Sequence, residues 1–166
     1  MILRLANSGD QNIIWGIIQQ AIAQRKKDGS AQWQNGYPNE NTIQVDIESG
    51  YGYVLIDNEI IVAYAAIIFG KEASYEEIKG HWLSNGDYVV VHRVATSEIY
   101  KGKGVATKLF LEIEKLCINK NTFSIKVDTN FDNIPMLKIL EKLNYTYCGE
   151  IFFSGASRMA YEKLLN

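Results

Sequence analysis

The residues that follow position 100 could together bind an anion. They read Lys101-Gly102-Lys103-Gly104-Val105-Ala106-Thr107, between an extended apolar run at 87–96 and a predicted amphipathic helix. A strand that enters a helix through two glycines exposes backbone N–H groups at the positive end of the helix dipole. We therefore expect an anion site here, suited to a pyrophosphate.

Two kinds of nucleotide site do not match this segment. A Walker loop needs Gly-x-x-x-x-Gly-Lys-Ser/Thr, which no stretch of the sequence supplies. A dinucleotide-binding fold places Gly-x-Gly-x-x-Gly after its first strand, whereas Gly102 and Gly104 lie past the middle of the chain and lack the third glycine. The pyrophosphate must therefore belong to another kind of ligand.

A different loop pattern does match, and a second segment accompanies it. Lys101-x-x-Gly104-x-Ala106 has a basic side chain, two residues, Gly, one residue, and then Gly or Ala. About thirty residues later, Asn133 opens a predicted helix that ends at Asn144-Tyr145, where Asn suits a left-handed helix end. In these two segments the chain resembles the GNAT superfamily of N-acetyltransferases, whose corresponding loop binds acetyl-coenzyme A.

The resemblance covers most of the chain and implies a fold. It implies a mixed α/β (α+β) class, with a mostly antiparallel central sheet of about six to seven strands and helices on both faces. It also implies one domain over residues 1–166.

The residue patterns predict the elements of such a fold. They indicate a strand at 2–5, a helix capped by Ser8 or Asp10, a helix from 39 or 41 to 49, strands at 51–56 and 60–69 joined by a hairpin, a polar irregular segment at 71–85, the strand at 87–96, the helix after the anion loop, a strand at 123–128, a helix at 133–143 and two final strands.

The resemblance also implies an activity, the transfer of an acetyl group from acetyl-CoA to a primary amine of a small molecule or peptide by direct attack. The backbone of Val94 and Thr96 would pair with the pantetheine arm, and a nearby N–H would polarise the thioester carbonyl. Lys142 would approach the 3′-phosphate or remain a solvated surface lysine, and Asn133 could also act as a helix cap. The implied coenzyme contacts are Val94, Ala95, Thr96, Lys101, Gly102, Lys103, Gly104, Val105, Ala106, Thr107, Asn133 and Lys142.

Proton transfer has one candidate residue and one departure from the family. Many relatives carry a Tyr midway along the Asn133 helix that protonates the leaving sulfur, but Leu140 stands there. His92, two residues before Val94, lies where some relatives place a base, and an imidazole suits proton removal near neutral pH. The alternative for His92 is a structural residue of an apolar strand. Arg93 points to the other face and is expected to be structural.

The acceptor is indicated only by aromatic residues of one loop. Trp33 and Tyr37 lie in the region that GNAT proteins use to wall the acceptor site. Large aromatic side chains on a glycine-containing loop either pack against the protein or receive a ligand. A small amine, an antibiotic, an amino acid and a protein N-terminus all stay open as acceptors.

Composition adds several expectations. The 166 residues carry a net charge of −2 and are 47% hydrophobic, so we expect no nucleic-acid partner. We expect no membrane span, a cytoplasmic location, no metal, and Cys117 and Cys148 as core residues. The last strands of this fold often meet a partner, which makes a homodimer conceivable. A non-catalytic acyl-CoA-binding module and a structural protein with a degenerate fold are the alternative functions.

Overall fold

A computed structural model describes residues 1–153 and 155–166. This part of the chain contains four α-helices and eight β-strands. The helices are α1 (Gln11–Lys27), α2 (Glu40–Glu48), α3 (Val105–Asn119) and α4 (Ile134–Lys142). The strands are β1 (Ile2–Leu5), β2 (Gly52–Asp57), β3 (Ile60–Phe69), β4 (Lys79–Gly80), β5 (Val89–Thr96), β6 (Ser124–Thr129), β7 (Thr146–Phe153) and β8 (Ala156–Leu164).

The predicted fold class is confirmed, with one strand more than expected. The element order agrees with the sequence patterns except for β4, which lies in the segment predicted to be irregular. Its two residues, Lys79 and Gly80, pair antiparallel with Glu150 and Gly149 of β7. A strand of two residues is too short to show the alternation of apolar and polar side chains by which strands are recognised.

The chain forms two compact units. Unit 1 comprises residues 1–67 and 93–112, and unit 2 comprises residues 68–92 and 113–166. The chain passes from unit 2 to unit 1 inside β5, between His92 and Arg93. A single domain over residues 1–166 stays a prediction.

Unit 1 contains the antiparallel strands β1, β2 and β3, with β2 central. The β2–β3 hairpin turns at Asn58 and Glu59, both at positive φ (45° and 69°), as a two-residue hairpin turn requires. The apolar residues of α1 pack into the core of this unit. The core consists of Ile14, Ile17, Ile18, Ile43, Val54, Ile61, Tyr64 and Ala95, with Ala21 and Ile22 packed against it.

The helix starts in unit 1 follow the rules of capping, with one exception. Asn39 caps α2 as predicted, its side chain accepting the N–H of Thr42 at 3.0 Å. Asp10 occupies the N-cap position of α1, one of the two predicted positions, but its side chain makes no capping bond. Asn7 accepts the N–H of Gly9 at 2.9 Å and begins a 3-10 turn before the helix. Asp10 instead binds the Arg4 guanidinium at 2.7 Å, an ion pair that lowers the pKa of Asp10.

A buried ion pair joins three elements of unit 1. Arg93 of β5 donates through Nε and Nη2 to the two carboxylate oxygens of Asp46 of α2, at 2.8 and 2.6 Å. The hydroxyl of Tyr64, in β3, donates to the same carboxylate at 2.6 Å. The side chains of Arg93 and Asp46 are 10% and 4% exposed. Burial alone would lower the pKa of Arg93, but Asp46 outweighs burial and raises it.

The backbone of Arg93 has an unusual conformation. Its φ of 55° lies in the left-handed region, where a residue with a Cβ costs about 1–3 kcal/mol. The bidentate pair with Asp46 offsets this cost, since a charge-assisted bond is stronger than a neutral one. The expected structural role of Arg93 therefore has a physical basis, which is to fix an irregular point in β5.

Unit 2 contains strands in the order β5-β6-β8-β7-β4. β5 and β6 run parallel over Val89–Val91, opposite Ile125, Lys126 and Val127, and the remaining pairs of this unit are antiparallel. The core on this side is aromatic. It consists of Tyr75, Tyr88, Val90, Ile151 and Ala160, with Ile68, Ile78, Trp82 and Phe153 packed against it.

A fully buried carboxylate ties the segment before β5 to this sheet. Glu162 of β8 is 0% exposed. It accepts the N–H of Leu83 at 2.6 Å, the hydroxyl of Ser124 at 2.7 Å, and the hydroxyl of Ser84. These bonds fasten residues 83–84, which belong to no helix or strand, to two strands.

A buried lysine lies on the neighbouring strand, opposite this carboxylate. Lys126 stands opposite Glu162 in the β6–β8 register. Its ammonium lies 3.9 Å from the ring centroid of Tyr88 and 4.4 Å from that of Trp82. Burial lowers the pKa of Lys126, and the charge of Glu162 opposes this shift. The two rings thereby hold residues 82 and 88 of the same segment against β6.

We predict that Arg93→Met lowers the free energy of unfolding by about 3–5 kcal/mol, because it leaves the buried Asp46 charge without its cation. Urea unfolding measures this loss. The control is Lys108→Met, which breaks the more exposed Lys108–Glu112 pair and should cost about 0.5 kcal/mol. The double variant Arg93→Met/Asp46→Asn should cost less than the sum of its single variants, and strictly additive losses would contradict the coupling.

We further predict that Glu162→Gln lowers the free energy of unfolding by about 2 kcal/mol. The amide keeps the size of the side chain but turns one acceptor into a donor that faces other donors. Denaturant unfolding followed by circular dichroism measures the effect. Glu150→Gln, at an exposed position of β7, is the matched control and should change stability by about 0.5 kcal/mol or less. Equal effects of the two substitutions would show that the buried network adds nothing.

Candidate active site

The predicted anion loop is a glycine turn that leads into α3. Residues 101–104 are exposed, and Gly102 and Gly104 both have φ of +74°. A Cβ built on either glycine meets no atom within 4 Å. Glycine is therefore required by the left-handed backbone rather than by crowding, and open space lies over the turn.

The helix that follows directs N–H groups out of its first turn. Lys108 donates its N–H to the carbonyl of Gly104 at 2.9 Å, the first bond of the α3 ladder. An α-helix cannot bond its own first N–H groups, here those of residues 105–107. They lie at the positive end of the helix dipole, where an anion is stabilised. The loop thus fits a pyrophosphate by its free space and by its donors.

Side chains of α1 hold the loop from the other side. The Oε1 atom of Gln24 accepts a hydrogen bond from the Lys101 ammonium at 2.9 Å. The Oε1 atom of Gln20 accepts one from the backbone N–H of Glu98 at 3.0 Å. Both glutamines lie one helical turn apart on α1. Lys101 therefore has a partner within unit 1, whereas Lys103 is exposed beside the two glycines.

The strand that leads to the loop changes character along its length. Val89–Val91 form the parallel pairing of β5 with β6. After the irregular point at Arg93, Ala95 is buried in the core of unit 1, while Val94 and Thr96 are partly exposed. The residues implied to contact the pantetheine arm thus follow the paired part of the strand.

His92 directly follows the residues of β5 that pair with β6, and two carboxylates and two aromatic rings enclose it. Its side chain is 9% exposed. Nε2 lies 3.4 Å from Glu72 Oε2, and Nδ1 lies 3.6 Å from Asp128 Oδ1. The rings of Phe153 and Tyr75 have centroids 5.8 and 6.2 Å from that of the imidazole. The candidate base therefore has carboxylates facing both of its nitrogens.

The two carboxylates differ in exposure and in their other partners. Asp128 is 4% exposed, accepts the Tyr75 hydroxyl at 2.6 Å and lies 3.9 Å from Nη1 of Arg158. Glu72 is 25% exposed and accepts the Ser74 hydroxyl at 3.1 Å. The hydrogen bond with His92 lowers the pKa of Glu72, against the opposing effect of burial. Glu72 is thus the carboxylate of this group that faces solvent.

Sequence reasoning did not find Glu72, Asp128 or Tyr75. Glu72 lies 20 residues from His92 in a polar segment without periodicity, and Asp128 ends a strand that the sequence alone reads as structural. No local motif links these positions. In the sequence, only the occurrence of acidic residues near the ends of predicted strands could have indicated these carboxylates.

The second coenzyme segment is confirmed in its structural features. Asn133 caps α4, its side chain accepting the N–H of Met136 at 3.4 Å. Asn144 has φ of 60°, the left-handed helix end that was predicted. Leu140, in place of the family's Tyr, is fully buried, and Lys142 is exposed in the last turn. Contacts of Asn133 and Lys142 with coenzyme stay predictions.

The aromatic loop of unit 1 is attached to the buried ion pair. The Tyr37 hydroxyl accepts a bond from Arg93 Nη1 at 2.6 Å. Trp33 is partly exposed and has φ of 63°. The hydroxyl of Tyr37 is therefore fixed against the protein, and contact of either ring with an acceptor stays a prediction.

Two kinds of feature are absent from the described residues. Within residues 1–153 and 155–166, no helix combines the length and apolar character needed to cross a membrane. Across the same residues, no group of three or more His, Cys, Asp and Glu side chains is arranged to hold a metal ion.

Comparison with known proteins gives matches at the levels of sequence and fold. A GNAT-family acetyltransferase from Streptococcus agalactiae is 38% identical, with a TM-score of 0.91 over 99% of this chain and 95% of that one. The fold also resembles an aminoglycoside acetyltransferase in complex with coenzyme A, at 16% identity and a TM-score of 0.70 over 98% of this chain and 94% of that one. Streptothricin acetyltransferase of Escherichia coli is 24% identical over 101 residues, and this match spans 61% of the chain and only 56% of that relative.

The family model described as the acetyltransferase (GNAT) family matches residues 19–145, a span that includes α2, β5, the glycine turn, α3 and α4. With this match and the 38% identical relative, the chain belongs to the GNAT acetyltransferase family and is an acyltransferase.

Proposed function

We propose that this enzyme transfers the acetyl group of acetyl-CoA to a primary amine of a small molecule or peptide. The observation that carries the proposal is the loop between β5 and α3, where two left-handed glycines, open space and the first turn of a helix occur together. Acetyl-CoA, when bound, supplies an activated thioester carbonyl. The alternative of a non-catalytic acyl-CoA-binding module has less support, since His92 of β5 lies between two carboxylates and is a candidate base.

On the coenzyme side, residues of unit 1 bind and orient acetyl-CoA. The N–H groups of residues 102–107 hold the pyrophosphate, and Lys101 and Lys103 add positive charge. The backbone of Val94 and Thr96, with Ala95 between them, pairs with the pantetheine arm. Asn133 and Lys142 contribute further contacts in unit 2, Lys142 toward the 3′-phosphate. The family resemblance supports these roles.

On the acceptor side, His92 removes the proton that an amine must lose before it attacks. Its 3.4 Å contact with Glu72 and 3.6 Å contact with Asp128 support this role, because a carboxylate facing an imidazole nitrogen orients the ring. Trp33 and Tyr37 wall the acceptor in this proposal. Leu140 cannot protonate the leaving thiolate, so that proton comes from another donor, such as the amine itself.

The sequence supports three further parts of the proposal. With a net charge of −2, the enzyme acts on small amines rather than on nucleic acid. It works in the cytoplasm without attachment to a membrane. A homodimer forms through the last strands, as the family resemblance implies.

We predict that Gly104→Asp abolishes binding of coenzyme A. The substitution places a carboxylate and a strained left-handed residue where the pyrophosphate would lie. Isothermal calorimetry with coenzyme A measures the affinity, and circular dichroism checks the fold. Gly86→Asp, at an exposed glycine outside the loop, is the control and should bind normally. Unchanged affinity in folded Gly104→Asp would refute the assignment of the loop.

We predict that His92→Gln lowers kcat far more than coenzyme affinity. A screen of primary amines with acetyl-CoA, followed by thiol release, first identifies an acceptor for the assay. If His92 is the base, the rate falls as pH falls, because a protonated imidazole cannot accept a proton. The His92→Gln variant should lose this limb of the profile along with most of kcat. A variant with wild-type kcat and an unchanged profile would return His92 to a structural role.

A further inference from the structure

We propose that Glu72 is the carboxylate that binds the acceptor, and that the acceptor is an aliphatic primary ammonium whose proton passes to His92. This inference rests on the proposed function and names the substrate class of the same site. In addition to the candidate base His92, it assigns a second residue that contacts the substrate.

The charges around His92 leave one negative charge for a ligand. Asp128 is 4% exposed, and it is faced by Arg158 at 3.9 Å and by the Tyr75 hydroxyl at 2.6 Å. The guanidinium of Arg158 thus faces the buried carboxylate. Glu72, at 25% exposed, has the Ser74 hydroxyl and the imidazole as polar side-chain partners. A single ammonium would complete the charge balance.

Glu72 also has room for a further bond. A carboxylate offers two oxygens with about four acceptor positions. Oε1 accepts the Ser74 hydroxyl, the backbone N–H of Ser74 also bonds the carboxylate, and Oε2 lies 3.4 Å from His92 Nε2, which leaves one position. The hydrogen bond with His92 lowers the pKa of Glu72, so this carboxylate is ionised at neutral pH and can attract a cation. A bound ammonium would replace the imidazole as the donor to Oε2. The ring then carries its proton on Nδ1, which faces Asp128 Oδ1 at 3.6 Å, and presents the lone pair of Nε2 to the ammonium.

The backbone holds this carboxylate in place. The N–H of Glu72 donates to the hydroxyl of Tyr88 at 3.0 Å, and Tyr88 belongs to the core of unit 2. The 3-10 turn Ala73–Tyr75 follows at once, and Tyr75 is 2% exposed. Because the Glu72 N–H is bonded to Tyr88 and the turn that follows ends at the buried Tyr75, the carboxylate has a defined position rather than that of a mobile surface charge.

The chemistry of an aliphatic amine requires both groups. Such an amine has a pKa near that of lysine, about 10.4, and arrives as R–NH3+. One proton passes to the lone pair of His92 Nε2, in the tautomer that carries its own proton on Nδ1, and then to solvent, which frees the lone pair of the amine nitrogen. The nitrogen forms a bond to the acetyl carbon, the carbon–sulfur bond breaks, and the second proton ends on the thiol. The products are R–NH–acetyl, coenzyme A and one released proton. An aromatic amine is already neutral and needs no carboxylate.

The test compares two primary amines, pentylamine, which is cationic at neutral pH, and 4-methylaniline, which is neutral. Glu72→Gln should lower kcat/KM for pentylamine about ten- to hundredfold, mainly through KM, because a charge-assisted contact is lost. It should change kcat/KM for 4-methylaniline by about twofold or less. Glu77→Gln removes an exposed carboxylate from the same segment and should alter neither value. Equal losses for both amines, or none for pentylamine, would overturn the proposal.

A binding measurement separates this inference from the proposed function. Pentylamine is titrated by calorimetry into protein saturated with coenzyme A, which carries no acetyl group, so no transfer occurs. Binding should weaken at least about tenfold in Glu72→Gln and persist in Glu77→Gln. If this difference is found but no amine is acetylated, the cation site stands and the proposed function fails. If amines are acetylated but Glu72→Gln leaves pentylamine binding unchanged, the cation site fails and the proposed function stands.

Discussion

The bidentate pair between Arg93 and Asp46 is the interaction on which the candidate site most depends. It holds a non-glycine residue at φ of 55° in the middle of β5, one residue after His92 and one before Val94. A regular strand would continue the alternation of faces through these three positions. The buried guanidinium also accounts for the position of Tyr37, whose hydroxyl it binds. One ion pair therefore determines where β5 becomes irregular and where the aromatic loop is attached.

The coenzyme side of the site could be predicted from the sequence, because its parts are consecutive. The glycine turn and the first turn of α3 use backbone N–H groups, and their positions follow from local conformation at Gly102 and Gly104. The helix cap at Asn133 and the left-handed Asn144 are local for the same reason. Most element bounds also followed from periodicity within single segments.

The acceptor side could not be predicted in the same way, because its parts come from separate segments. His92 was found by its position before the loop, but Glu72 precedes a 3-10 turn and Asp128 lies in β6. Whether Glu72 reaches His92 depends on how the residues between β3 and β5 are held, and the contact with Asp128 depends on the pairing of β5 with β6. The two-residue β4 was missed for a related reason, since it depends on pairing with β7, which lies about seventy residues further along the chain.

Buried polar side chains of unit 2 hold the irregular segment between β3 and β5 in position. Residues 70–88 contain only a 3-10 turn and a two-residue strand, which alone would leave a mobile loop. Glu162 binds residues 83 and 84, Lys126 packs on the rings of residues 82 and 88, and Tyr88 accepts the N–H of Glu72. Each of these contacts is made by a buried group that would cost free energy if left unpaired. The segment that carries Glu72 is thus held as firmly as a regular element, which a carboxylate needs if it is to recognise one amine beside one imidazole.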